Sequence, residues 1–204
     1  MKQPVTRFKS MGIALKELEP FVRNGQHLQT GKPFARMGNM RSREMLANWL
    51  ICAVLNHSGD RQMSFASDPD GGDGILVDAQ TLVGFPTEHI MVPRQRGDEV
   101  ADPHELVLDA INKKRSKGGE AYARGKTLVV FLNAAAGLWY PNRVAKALPT
   151  PLYFDSVWVV GLYGVEGDEY VYGVTHLDLT DGDVPAFKLR ISSDFAAWEI
   201  VQIQ

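Results

Sequence analysis

The 204-residue chain is 45% hydrophobic and 23% charged, enough for one well-buried core, and its formal net charge of −2 argues against a surface coated in positive charge. A local basic patch is compatible with that balance, so nucleic-acid binding stays open. The one cysteine, Cys52, excludes an internal disulfide. It points to a reducing compartment, and with no apolar h-region in "MKQPVTRFKSMG" and no run long enough to span a bilayer, a cytoplasmic protein without membrane association is expected.

In chain order, "SMGIALKELEPFVRN" (10–24) predicts a short helix, followed by a Gly-rich connecting loop over 25–39. "RSREMLANWLICAVLN" (41–56) predicts a strongly apolar helix with Ser42 as N-cap and Gly59 as its stop. "QMSFAS", "GILVDA" and "TEHIMVP" then read as three strands whose close spacing favours an antiparallel meander. Asp102-Pro103-His104-Glu105 is a helix start, with a carboxylate cap, Pro at the first position and Glu three residues on. That helix should stop near Lys117, at Gly118-Gly119.

"TLVVFLNA" predicts a central buried strand, "PNRVAKAL" a short helix and "SVWVVGLYG" a second buried strand. "EYVYGVTHLDL", "AFKLRIS" and "WEIVQIQ" add three more. The order predicts a single α/β domain, a mixed β-sheet sandwiched by helices, with residues 1–40 as a helix-and-loop appendage and 134–204 as a sheet extension.

The acidic stretch "SDPDGGDGILVDA" (67–79) fails each loop motif tested. An EF-hand started at Asp68 has Gly72 at the fifth position, Asp73 at the sixth and Ala79 at the twelfth. The calcium β-roll repeat fails as well, with Leu76 where its aspartate belongs. "GKT" at 125–127 lacks the leading glycine of a P-loop and precedes a strand, there is no GxSxG elbow, and one cysteine with five scattered histidines gives no zinc spacing.

A pairing across the hairpin remains. Asp73 opens the second strand and shares parity with Ile75 and Val77; Glu88, in the third, shares parity with Ile90 and Val92. If the apolar members face the covering helices, the two carboxylates meet on one buried face, where a hard divalent ion would offset their repulsion. By the same parity His89 points to the opposite face, and Asp78 belongs to the surface or a turn.

The order α-β-β-β-α-β over Arg41–Asn133, about half the chain, with an acid opening the second strand and another in the third, resembles the PD-(D/E)xK nuclease superfamily. The resemblance implies a restriction-endonuclease-like core with extra C-terminal strands. It also implies Mg2+ or Mn2+ held by Asp73 and Glu88, a supporting Glu44 in "RSREMLANWL", and hydrolysis of DNA phosphodiesters. The family's lysine, two residues after the second acid, is replaced by Ile90. Lys114 continues the stripe Val107–Ile111 along the next helix and is the best-placed substitute, with Lys113 second. Arg41, Arg43, Arg94, Arg96, Lys113 and Lys117 are the candidate backbone contacts for DNA.

Structural alternatives stand beside each assignment. Asp73 suits a turn; Glu88 could pair with Lys or Arg, or be exposed by a one-residue register slip; Glu44 suits the start of its helix and the Lys113–Lys117 cations the end of theirs. The missing lysine favours a catalytically inactive binding module for nucleic acid or protein. A third reading makes Trp158, Tyr163, Tyr170 and Tyr172 a homodimer surface.

Overall fold

The computed structural model describes residues 5, 7–25, 28, 38, 40–59, 61–93, 102–133 and 139–204. Among these residues, four helices, α1 (Met11–Arg23), α2 (Ser42–Ser58), α3 (Pro103–Ala123) and α4 (Pro141–Lys146), accompany eight strands. The strands are β1 (Met63–Ala66), β2 (Ile75–Asp78), β3 (Val83–Val92), β4 (Thr127–Leu132), β5 (Ser156–Glu166), β6 (Glu169–His176), β7 (Ala186–Ile191) and β8 (Trp198–Gln202). They form one mixed sheet in sequential order. The first three strands are an antiparallel meander. β3, β4 and β5 run parallel, which demands the crossovers that carry α3 and α4. The remaining strands return to antiparallel pairing out to β8 at the edge.

Each face of the sheet has its own core. Val129, Phe131, Trp158, Val160, Tyr172, Val174 and Leu189 pack with α2 and with Leu15 and Leu18 of α1. Leu128, Val130, Val157 and Val159 pack with Val107 and Ile111 of α3 and Val144 of α4. The strict alternation along β4 is why this strand reads as wholly apolar: both faces are covered. α2 is apolar around most of its circumference because the sheet lies on one side and α1 on the other.

Far from hanging off the fold, α1 is part of this core: Ala14, Leu15 and Leu18 are fully buried. The Trp49 indole donates to Met11 O at 2.9 Å and meets Trp198 edge-on at 5.2 Å. Lys16 and Arg23 donate to the carbonyls of Asp194 and Ser193, and the Arg23 guanidinium lies 5.0 Å over the ring of buried Phe195. One end of the chain thereby closes over the turn between the last two strands.

Three local expectations are corrected. Ser42 is the first helical residue of α2 rather than its cap; the Glu44 carboxylate accepts the Arg41 N–H at 2.8 Å and does the capping from inside the helix. β2 starts at Ile75, so Asp73 lies in the turn before it. Ile75 and Val77 keep the predicted parity, but their cover is Val5 and Ala66 rather than a helix. Finally, α3 breaks where expected yet does not stop: Gly118 and Gly119 leave helical geometry, Gly119 at φ +57°, and the chain resumes its helix to Ala123. Among the described residues, no helix is long and apolar enough to cross a membrane.

Candidate functional site

The turn before β2 is held by a glycine that no other residue replaces. Gly74 has φ +131°, and a Cβ there would lie 2.4 Å from Asn48 Nδ2. Its carbonyl accepts the Thr87 N–H at 2.8 Å and the Thr87 hydroxyl at 3.0 Å, while Asn48 Nδ2 reaches Asp73 O at 3.4 Å. Backbone pinned on both sides aims the Asp73 side chain back at β3, where Oδ2 accepts the His89 N–H at 2.7 Å. In this way a turn residue becomes a fixed group.

Glu88 comes to the same place from β3. It pairs in register with Leu128 of β4, so its side chain shares the face covered by α3. There Lys114 Nζ donates to Glu88 Oε2 at 3.1 Å and stands 3.8 Å from Asp73 Oδ2. Lys126 Nζ donates to Glu88 Oε1 at 2.9 Å, and the Tyr122 hydroxyl donates to Oε2. The four charged side chains around the centre are half-buried or better, at 11% exposure for Glu88, 15% for Lys114, 29% for Asp73 and 30% for Lys126. Burial works against the ionised form of Glu88, but the Tyr122, Lys126 and Lys114 hydrogen bonds outweigh it and bring its pKa to about 2. Burial, and then the neighbouring Glu88 charge, push the Tyr122 phenol upward, keeping it a donor.

His89 faces the other side. Its Nε2 lies 3.1 Å from Asn48 Oδ1 and 3.2 Å from Thr87 Oγ1 in the α2 core. Burial chiefly, with Lys114 and Arg43 adding repulsion, lowers its pKa to about 3, so the ring is neutral. It braces Asn48 rather than joining the acids.

The remaining candidates divide. Glu44 is buried, with its carboxyl on Arg41 N and 3.7 Å from Arg41 Nε; burial and the nearby Asp73 charge raise its pKa. It caps α2 beside the site without joining Asp73 and Glu88, and among the described residues no three acid, His or Cys side chains gather as metal ligands. Arg43 is half-buried, its pKa lowered by burial, and close enough to Asp73 to feel its charge. Arg41, Lys113 and Lys117 are exposed, and Lys117 Nζ sits 5.0 Å over the Tyr122 ring. Arg94 and Arg96 lie outside the described residues. Of the aromatics read as a dimer surface, Trp158 and Tyr172 are core residues and Tyr170 packs against that core, so only Tyr163 is well exposed. Strand alternation placed three of them inward.

Two members of the site escaped the sequence reading. Lys126 belongs to the "GKT" set aside as a failed P-loop, and parallel pairing of Thr127 with Thr87 delivers it to Glu88. Tyr122 lies beyond the glycine break, where the helix was expected to have ended. Asp73 and Glu88 are ligands of the kind and number that magnesium takes from protein, and the Lys114 ammonium already stands against both. No family model matches the chain, and no curated protein or solved structure matches it either.

Proposed function

We propose that the chain is a divalent-metal-dependent, nuclease-like protein of the PD-(D/E)xK type that hydrolyses DNA phosphodiesters in the cytoplasm. The observation that carries this reading is the convergence of Asp73, from the turn before β2, and Glu88, from β3, within 4 Å of the single ammonium of Lys114. Asp73 and Glu88 would hold Mg2+ or Mn2+, which supplies an activated water and charge neutralisation at phosphate. Lys114 and Lys126, the two lysines on Glu88, would take the part of the missing strand lysine and stabilise the anionic phosphoryl oxygens. The His89 N–H fixes the Asp73 carboxylate, and the exposed cations Arg41, Lys113 and Lys117 supply backbone contacts to DNA.

One observation favours the binding-module reading. Both Glu88 oxygens already accept strong donors, so the carboxylate is satisfied without an ion. The test is cleavage of supercoiled plasmid with Mg2+ or Mn2+. Cutting by the wild type that Asp73→Ala and Glu88→Ala both abolish supports the nuclease. Cutting that survives both substitutions belongs to a contaminant or another site. No cutting, with DNA binding retained, selects the binding module.

A further inference from the structure

Lys114 stands between two carboxylates that belong to different elements. Its ammonium is 3.1 Å from Glu88 Oε2 and 3.8 Å from Asp73 Oδ2, whereas Lys126 touches Glu88 alone, through the other oxygen at 2.9 Å. Among the described residues, the Lys114 ammonium is thus the cation that lies within 4 Å of both acids at once. A divalent ion held by the same two acids would compete with that ammonium, because a cation already beside both carboxylates repels it. Resting on the metal reading above, we propose that Lys114 is a built-in competitor for the ion: the divalent cation and the Lys114 ammonium exchange at one position between Asp73 and Glu88.

The surroundings permit the exchange. Lys114 has a flexible four-carbon stem, and the Tyr122 hydroxyl, 3.5 Å from its Nζ, borders the site as a second polar contact. Lys126 remains on Glu88 Oε1 and keeps that side chain oriented. The displaced ammonium stays tethered beside the ion, within reach of any phosphate held there. Metal and phosphodiester should then bind with positive coupling, because the phosphate gives Lys114 a new partner.

Mn2+ titration followed by electron paramagnetic resonance or calorimetry tests the exchange without relying on catalysis. Lys114→Met and Lys114→Gln, checked for folding by circular dichroism, should bind Mn2+ about tenfold more tightly than the wild type, the scale of removing one like charge at this range. Lys126→Met should gain less. Binding by the wild type that Asp73→Ala removes but that Lys114→Met leaves unchanged or weakened overturns the exchange while the metal reading stands. An equal gain from Lys126→Met also overturns it, since general charge removal would then suffice. Absence of Mn2+ binding in the wild type and every variant overturns the metal reading and the exchange with it. The wild type gives a direct measure as well: in lysine side-chain 1H–15N spectra, the Lys114 ammonium signal should shift or vanish on adding Mg2+, and an unmoved signal refutes the exchange.

Discussion

Two ion clusters in this molecule are built to one recipe and placed in opposite settings. Around Glu88, one carboxylate takes two lysines and a tyrosine from α3 and the start of β4, with little solvent access. Around Arg190, one guanidinium takes Glu166 at 2.6 Å and Glu169 at 2.9 Å beside the β5–β6 turn, all three groups well exposed. The second cluster joins neighbouring strands that the sheet already holds together. The first joins a strand, a crossover helix and the next strand, so it fixes relations that the backbone ladder leaves free. Location, rather than the number of ion pairs, decides what each is worth.

The largest expected effect is on the inner cluster. Glu88→Ala leaves Lys114 with Asp73 at 3.8 Å and the Tyr122 hydroxyl at 3.5 Å, and should destabilise the fold by roughly 2 kcal/mol in urea unfolding. A loss near zero would mean that the lysines simply relax into water and the inner cluster is no different from the outer one.

Acid provides a second contrast. Glu88 has a folded pKa of about 2 against an ordinary 4.5, and His89 one of about 3 against 6.5. In both cases the unfolded chain holds more protons across the interval. Their contribution is therefore complete above pH 6.5, and it drains through His89 between 6.5 and 3 and through Glu88 between 4.5 and 2. Thermal midpoints should fall across that range, and Glu88→Gln should flatten the decline below pH 4.5; an unchanged slope in the variant would remove Glu88 from the account. The smallest effect belongs to Arg190→Ala, which should leave the urea midpoint nearly unmoved because its pairs are screened by solvent. Should it match Glu88→Ala, burial is not what separates the clusters.

How far the sequence carried depends on the range of the interaction. β4 announced itself through Leu128–Phe131, because burial on both faces writes a continuous apolar run. The meeting of Glu88 with Lys114 was legible because strand parity and helical stripe are local periodicities, and a crossover helix must lie on one face. The start of β2 was not legible: Gly74 stands at φ +131° with Asn48, twenty-six positions earlier in the chain, where a Cβ would lie, and nothing near Asp73 encodes that contact. Lys126 was hidden for a related reason, since only the register of β4 against β3 brings it to Glu88. The Trp158 and Tyr172 rings were misread because aromatic residues on a strand say nothing about which face is covered.

The break in α3 sets a limit on how this protein could be stabilised. Lys114 and Tyr122 are eight residues apart, about 12 Å of rise on an unbroken helix, yet they meet at one carboxylate oxygen. The chain folds back so tightly that a Cβ on Gly118 would lie 2.7 Å from Tyr122 Cβ, where four-apart neighbours on a regular helix stand roughly 5–6 Å apart. Replacing the glycine pair with alanine would improve helix propensity by about 1 kcal/mol per residue and pull the two donors onto separate turns. In α3 the better helix is the worse clamp, and an engineer who repairs the flaw takes the site apart.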